Sequence, residues 1–253
     1  MWIDTHSHLY LPEFDADRDL VFQRAAEAGV QKIVLPNIDN DSLPALKKTI
    51  ETYPNVALPL IGLHPTSVSD NVEADLQFVK DELQQHTYYG IGEIGVDLYW
   101  DTSRRKEQHQ AFKMQLELAA DYHLPVIIHI REAFDDVFSI IESMHRELYG
   151  IFHCFTGTYE QACRAIDLGF FLGIGGVVTF KNSTLPEVIK NIDLKYLVVE
   201  TDAPYLTPHP HRGTRNESAY IPLIGKKIAE IKTCSVEEVA SATTYNARTL
   251  FKL

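Results

Sequence analysis

The sequence predicts a (β/α)8 barrel, and three observations lead to that fold class. The chain has 253 residues, of which 45% are hydrophobic and 23% are charged, and this suits one large globular domain. Eight short apolar runs alternate with longer stretches of helical periodicity. The runs are apolar on both faces, as in parallel strands covered by helices. Eight such units in about 250 residues match a (β/α)8 barrel, with a doubly wound open sheet as the alternative.

The predicted strands follow one another at regular intervals along the chain. They are MWID, KIVLP, ALPLIGL, YYGIGEIG, PVIIHI, GIFHCF, GFFLGIGG and KYLVVETD. Helical periodicity between them is clearest in RDLVFQRAAEAG, ADLQFVKDELQQH, KEQHQAFKMQLELAADYH and YEQACRAIDLG. The first and last of these helices end on Gly29 and Gly169, a residue type typical of helix C-caps.

No linker or low-complexity tract divides the chain, so residues 1–253 are expected to form a single domain. A final helix is predicted at about 235–251. Ser235 is its expected N-cap, and Glu238 three residues later completes a capping box. We expect this helix to pack on the outside of the barrel.

Charge and cysteine content narrow the classes of function. The formal net charge of -12 argues against a long basic surface for nucleic acid, but not against nucleic acid chemistry at a site where bound cations supply the positive charge. Three cysteines without CxxC spacing indicate neither disulfides nor a thiolate metal site. No stretch resembles a signal peptide or a membrane span. The expected location is the cytoplasm.

Six of the eight predicted strands finish with a histidine or a carboxylate at their C-terminal ends. These ends meet on one face of a barrel, where active sites lie. A single buried histidine is usually a hydrogen-bonded core residue, but four histidines and two acids at matching strand ends indicate a metal site. The expected ligands are His6, His8, Glu93, His129, His153 and Asp202.

The donor set predicts the kind and number of ions. Nitrogen and oxygen donors without sulfur suit Zn2+, Mn2+ or Fe2+ and tolerate Mg2+. Because six donors exceed what one tetrahedral ion needs, two divalent ions are expected. Glu93 lies between the two histidine groups in sequence and is the expected bridge between the ions. Two divalent ions against two carboxylates leave positive charge, which suits an anionic substrate.

Seven ordered stretches resemble the TatD family of metal-dependent deoxyribonucleases, which belongs to the amidohydrolase-like metallohydrolase barrels. They are IDTHSHL, IGLHP, GEIGVDLYW, PVIIHIR, FHCFTG, VVETDAPYL and RGTRNES, and they run from residue 3 to residue 218. The one departure is Ser218, where the family usually has proline. The resemblance implies a bridging Glu93, with one ion on His6, His8 and Asp202 and a second on His129 and His153.

The resemblance also implies hydrolysis of phosphodiester bonds with two divalent ions, Mg2+, Mn2+ or Zn2+. Glu93 and Asp202 are the expected catalytic residues, with Asp202 orienting the attacking water or accepting its proton. His64 is expected to contact phosphate or to support a ligand, and ordering of its own loop is the alternative. Arg131 lies two residues beyond His129 on the strand and would hold a phosphate oxygen through its planar guanidinium.

The stretch DLYWDTSRR follows the bridging acid and carries Tyr99, Trp100, Arg104 and Arg105. Its aromatic residues would stack on bases and its arginines contact phosphates, as in single-strand binders. Equally, Trp100 would cap the barrel and the arginines would begin a helix. Arg215 is a further expected substrate contact. Together with the acidic net charge, this favours a pocket for the end of a DNA strand, single or frayed, and hence exonuclease action.

Two further residues lie beside the expected ligands. Glu200 alternates with Asp202 on strand 8, so that it would either fix a ligand or serve the fold alone. Cys154 is adjacent to His153 and is expected to point away from the metals and to pack.

Two rival classes remain open. An enzyme of the same architecture would act on a lactone, a phosphotriester or an amide, but many such barrels bridge their metals with a carboxylated lysine on strand 4, where this chain has Glu93. A non-catalytic metal-bound binding protein would be expected to lack some ligands, whereas all six donors are present. DNA is the expected partner, no membrane contact is expected, and a monomer is the default oligomeric state.

Overall fold

The computed structural model describes residues 1–253, and eight parallel strands form its central layer. All neighbouring strands run parallel, in two groups whose orders are β1-β2-β3 and β4-β5-β6-β7-β8. The strands are β1 (Trp2–Asp4), β2 (Val30–Pro36), β3 (Ala57–Leu60), β4 (Ile91–Asp97), β5 (Val126–Arg131), β6 (Gly150–Phe152), β7 (Phe170–Ile174) and β8 (Leu197–Val199).

Backbone contacts join the two groups of strands into a closed ring. Between β3 and β4, Ile61 and Ile91 form a parallel bridge, and the Ile61 N–H donates to the carbonyl of Gly90 at 3.3 Å. Between β8 and β1, the Thr5 N–H donates to the carbonyl of Val199 at 3.0 Å. The predicted barrel is therefore confirmed, and the open-sheet alternative is wrong because the ring has no free edge.

Ten α-helices surround the ring. The predicted glycine C-caps are present, because Gly29 and Gly169 follow their helices with φ values of 83° and 91°, a backbone region open to glycine. No helix has both the length and the apolar character that a membrane crossing requires. The helices are α1 (Arg18–Glu27), α2 (Leu43–Thr52), α3 (Val72–Asp75), α4 (Gln77–Gln85), α5 (Arg105–Tyr122), α6 (Phe134–Ser143), α7 (Tyr159–Asp167), α8 (Leu185–Lys190), α9 (Ile221–Lys232) and α10 (Val236–Phe251).

The helix α10 has a double role in the core. It begins at the predicted capping box, in which the Ser235 side chain accepts from the Glu238 N–H. Its last turns join a small buried cluster whose other members come from six of the strands. The expected position on the outside of the barrel is incomplete, because the last turns of α10 also pack among side chains from six strands of the ring. The members of this cluster are Ile3, Val34, Leu58, Leu60, Ile127, Ile151, Val198, Ala247, Leu250 and Phe251.

Candidate metal centre

The C-terminal ends of the strands bring the six predicted ligands into one cluster. Two histidines follow β1, the glutamate lies within β4, one histidine lies within β5, another follows β6, and the aspartate follows β8. Their donor atoms fall into groups within which all separations are under 4.8 Å. These groups comprise His6, His8, His64, Glu93, His129, His153 and Asp202.

The carboxylate of Glu93 lies between two sets of histidine nitrogens. Its Oε2 is 3.1 Å from His6 Nε2 and 3.4 Å from His8 Nε2. Its Oε1 is 2.7 Å from His129 Nδ1 and 3.5 Å from His64 Nε2. Because each oxygen faces a different pair of imidazoles, Glu93 has the arrangement of a carboxylate that bridges two ions.

The separations between donor atoms fit a divalent cation. Donors of a tetrahedral Zn2+ at the usual bond lengths are roughly 3.3–3.6 Å apart. Here His6 Nε2 and His8 Nε2 are 3.0 Å apart, and Asp202 Oδ1 is 3.7 Å and 3.6 Å from them. With Oε2 of Glu93, four donors of compatible chemistry converge on one point. The residues present therefore fit a bound ion.

The position of His153 differs from the one that the resemblance implies. Its ring stacks on that of His6 with 3.5 Å between the ring centroids, and its Nε2 is 3.7 Å from Asp202 Oδ1. The nitrogen that accompanies His129 Nδ1 is instead His64 Nε2, at 3.2 Å. The structure therefore places His64, which was expected to contact phosphate or support a ligand, directly among the donor atoms.

Two of the candidate ligand histidines have partners on their far sides that were not predicted from the sequence. The Oδ2 of Asp97 is 2.9 Å from His129 Nε2, and the hydroxyl of Tyr10 is 3.1 Å from His8 Nδ1. Such partners fix the ring orientation and decide which nitrogen stays free for a metal. For Asp97 the signal was spacing, since it is four residues beyond Glu93 within β4 and therefore lies on the same side of the strand. Tyr10 lies in a turn in which the Leu11 N–H donates to the His8 carbonyl at 3.0 Å, so spacing gave no signal for its contact.

Glu200 contacts a third candidate ligand histidine. Its side chain is fully buried, and its Oε1 is 2.9 Å from His153 Nδ1 and accepts from the Cys154 N–H at 2.5 Å. Burial opposes the charged form of His153, but Glu200 and the other nearby carboxylates raise its pKa to about 10. These contacts favour the alternative in which Glu200 fixes a ligand.

The expectation for Cys154 is wrong, because the residue lines the cavity at the metal centre. Its φ of 44° is left-handed, which breaks the strand alternation on which the expectation rested. Burial, together with the charge of nearby Asp202, raises the pKa of the Cys154 thiol well above its usual range. The raised pKa keeps the side chain a neutral thiol, which is a poor nucleophile.

Burial and neighbouring charges separate the pKa values within the cluster. Burial lowers the pKa of His6 well below its usual range and raises that of Asp202 to about 6. Burial opposes the ionised form of Glu93, but the surrounding histidines hold its pKa well below its usual range. Burial also opposes charge on His129, yet Asp97 and Glu93 raise its pKa to about 9. His6 is therefore a neutral imidazole beside the ionised Glu93 and offers the lone pair that a cation needs, whereas His129 and His153 would each release a proton on binding a cation.

The cluster opens into a cavity of about 720 Å³, within the size range of small-molecule sites. Trp100 and Tyr205 line its rim, and Arg131 is the only lysine or arginine among its lining residues. The guanidinium of Arg131 lies 3.7 Å above the ring centroid of Tyr99. The cavity therefore combines the candidate metal ligands with an exposed mouth that carries one cation.

Comparison with known proteins agrees with this geometry. The sequence model of a family described as TatD related DNase matches residues 3–252. The chain belongs to the TatD family. It is 41% identical to the Bacillus subtilis metal-dependent hydrolase YabD over 255 aligned positions that span the whole of both chains. It is 32% identical to a Pantoea ananatis protein named 3'-5' ssDNA/RNA exonuclease TatD, over 257 positions and 99% of each chain.

A solved structure from the TatD family has the same fold. The TatD homologue YjjV from Escherichia coli superimposes with a TM-score of 0.92 at 30% identity, covering 100% of this chain and 98% of the other. The correspondence spans the barrel and all the strand ends that carry the candidate ligands. The resemblance found in the seven sequence stretches is therefore confirmed at the level of the family.

Ser218, where the TatD family usually has proline, contacts a buried carboxylate. Its hydroxyl donates to Asp4 Oδ2 at 2.6 Å, beside the hydroxyl of Thr201 at the same distance. The backbone N–H groups of Thr201 and His6 donate to Asp4 Oδ1 at 3.0 Å and 3.3 Å. Burial raises the pKa of Asp4 to about 7, although these hydrogen bonds oppose the shift. Ser218 thus supplies a donor, which proline lacks, to a network between the ends of β1 and β8.

The other predicted substrate contacts lie outside the cavity. Arg215 is paired with Asp17, with both terminal nitrogens 2.8 Å from its carboxylate oxygens. A substrate phosphate would have to displace that carboxylate, so the structure gives no support for Arg215 as a contact. Arg104 and Arg105 lie at the start of α5, and each forms an ion pair with an aspartate. Their position favours the alternative in which they begin a helix.

Proposed function

We propose that the chain is a metal-dependent hydrolase that uses two divalent ions to cleave phosphodiester bonds at the ends of DNA strands. The observation that carries the proposal is the position of Glu93, whose two carboxylate oxygens face different pairs of histidine nitrogens at 2.7–3.5 Å. The name of the Pantoea ananatis relative, an exonuclease for single-stranded DNA and RNA, supports the substrate class.

In this proposal His6, His8, Asp202 and Glu93 would hold one ion. Glu93 would share a second ion with His129 and His153, as the resemblance implies, or with His129 and His64, whose Nε2 lies 3.2 Å from His129 Nδ1. Bound divalent ions would supply Lewis acidity, which lowers the pKa of water from 15.7 toward about 7 and offsets charge on phosphate oxygens. Their identity is proposed to be Mg2+, Mn2+ or Zn2+.

The protein's own groups position the substrate and the proton. The side chain of Asp202 is 15% exposed against 3% for Glu93, so Asp202 is the carboxylate that we propose to orient the attacking water and accept its proton. Arg131 at the mouth is proposed to hold a phosphate oxygen through its fork of donors. His64, which is also within reach of the cluster, would contact the phosphate or contribute as a ligand.

The cellular setting is also a proposal. All three cysteines are unpaired, which suits the reducing cytoplasm, and we propose that location for a monomeric enzyme. A preference for single-stranded or frayed ends accords with a net charge of -12, because such a chain holds extended duplex poorly.

Incubation of metal-stripped protein with end-labelled single-stranded DNA tests this function. Mononucleotides are expected only after addition of Mg2+, Mn2+ or Zn2+, and the Glu93→Gln variant should release none and lose at least one ion. An uncut oligonucleotide with every metal would contradict the proposal, and metal-dependent binding without cleavage would favour the non-catalytic rival. Cleavage of a lactone or phosphotriester in place of DNA would favour the other rival.

A further inference from the structure

We propose that Tyr99, Trp100 and Arg131, which together we call the stacking subsite, bind an unpaired nucleobase and its phosphate beside the metal centre. This inference rests on the proposed function and adds the part of the substrate that is recognised. It also gives a physical reason for a preference for single strands, because a base can lie flat on an aromatic side chain only when it is unpaired.

The first observation is the exposure of the two aromatic rings. Trp100 is 69% exposed and Tyr99 is 51% exposed, whereas the other tryptophan, Trp2, is 5% exposed in the core. A large aromatic side chain normally gains stability by burial. Trp100 nevertheless stays in solvent at the rim of the cavity that contains the metal ligands. An exposed aromatic surface at that place is suited to a flat ligand.

The second observation is the way in which the aromatic pair is held. The carboxylate of Asp97 accepts from the backbone N–H groups of Tyr99 at 3.0 Å and Trp100 at 3.3 Å through Oδ1. Its Oδ2 is 2.9 Å from His129 Nε2. The side chain of Gln108 binds both backbone polar groups of Asp97, at 2.8 Å and 3.0 Å. One buried carboxylate therefore fixes the aromatic pair relative to a metal-ligand candidate.

The third observation is the free cation in the subsite. The guanidinium of Arg131 lies 3.7 Å from the Tyr99 ring centroid and 5.3 Å from that of Trp100. It makes no ion pair, whereas Arg104 and Arg105 are both paired. In a chain of net charge -12, an unpaired arginine at the mouth of the cavity is placed to receive an anion. The rings of Tyr99 and Trp100 are nearly perpendicular, at 87°, so a base would stack on Trp100 with its phosphate on Arg131, and Tyr99 would position the guanidinium.

Tryptophan fluorescence tests the subsite directly, because Trp100 is the only exposed tryptophan of the two in the chain. Metal-loaded protein is mixed in a stopped-flow instrument with oligothymidylate of eight nucleotides, and with an abasic oligomer of the same length and charge. The emission is expected to fall with the oligothymidylate before product forms and to stay constant with the abasic oligomer. Equal quenching by both oligomers, or by neither, would overturn the proposal.

Kinetics of variants provide a second readout. Trp100→Ala should raise the KM for oligothymidylate about tenfold, Trp100→Phe should retain most of the wild-type affinity, and neither should change the KM for the abasic oligomer. Tyr245→Ala is the matched control, because Tyr245 is 70% exposed and does not line the cavity.

The two proposals fail in different ways. Base-dependent quenching without cleavage under any metal would retain the subsite and refute the nuclease. Cleavage of oligothymidylate with an unchanged KM in Trp100→Ala and no quenching would retain the nuclease and refute the subsite.

Discussion

The contact between Glu200 and His153 can be perturbed without touching either residue. A Cβ added to Gly173 on β7 would lie 2.3 Å from Glu200 Oε2 and 2.7 Å from its carboxyl carbon. A Cβ added to Gly175, two residues further along, would meet no atom of Glu200 closer than 3.7 Å. Gly173→Ala and Gly175→Ala are therefore a matched pair of variants, of which only the first presses on the carboxylate.

The size of the effect follows from the distances. Because Cβ contacts under 3.0 Å are essentially never observed, the carboxylate of Glu200 has to withdraw by about 0.7 Å in Gly173→Ala. A shift of that size is comparable to the whole width of the usual hydrogen-bond range of about 2.7–3.2 Å, so we expect it to disrupt the 2.9 Å contact with His153 Nδ1. Loss of a partner that orients a ligand typically costs 10–100-fold in metal affinity or activity, or about 1.4–2.8 kcal/mol.

The assay compares metal affinity and turnover in the two variants. Competition with a chromophoric chelator gives the affinity for Zn2+, and mononucleotide release gives the rate. Gly173→Ala should lower the affinity for Zn2+, the rate of mononucleotide release, or both by about 10–100-fold. Gly175→Ala should resemble the wild type in both quantities. Glu200→Gln, which removes charge without adding volume, should reproduce the loss if Gly173→Ala fails to fold. Wild-type affinity and turnover in both Gly173→Ala and Glu200→Gln would refute the reasoning.

Three further predictions concern stability. Ser218→Ala removes a donor from buried Asp4 and should lower the free energy of unfolding in urea by about 1 to 3 kcal/mol; an unchanged value would show that the network is redundant. Arg215→Ala should destabilise the fold with little change in KM, because Arg215 lowers the pKa of Asp17 to about 2. The stabilisation from this ion pair is present above the unfolded pKa of about 3.8 and is lost as the pH falls toward 2. The melting temperatures of wild type and variant should therefore converge at low pH. A difference in melting temperature that does not depend on pH would contradict this prediction. Finally, chelation should lower the melting temperature, since each ion at 100 times its Kd adds about 2.7 kcal/mol, and an unchanged melt would count against resident ions.

The barrel was predictable because its signals are local. Each strand is a short run that is apolar on both faces, and helices such as α1 and α7 carry their own C-cap glycines. The candidate ligands were predictable for a related reason, since a barrel converts positions at the ends of strands into neighbours in space. His6 and Asp202 are far apart in sequence but meet because β1 and β8 are adjacent in the closed ring.

The features that escaped prediction depend on conformation or on long-range contacts. The left-handed backbone at Cys154 reverses the side of the chain on which its side chain lies. No pattern in the sequence predicts this backbone conformation. Arg215 was expected at the substrate, but its partner Asp17 lies 198 positions away and could not be inferred from spacing. The side of β4 on which Asp97 lies could have been predicted, because Asp97 follows Glu93 at strand spacing. Its contact with His129 becomes evident only when the strands β4 and β5 are paired.

The central claim is that two divalent ions held around Glu93 make this barrel a phosphodiesterase. It is tested most directly by titrating metal-stripped protein with Mn2+ or Zn2+ while the release of mononucleotides from single-stranded DNA is followed. The rate should rise until two ions are bound per chain and then level off. Full activity with one ion per chain, or no release at any metal content, would contradict it.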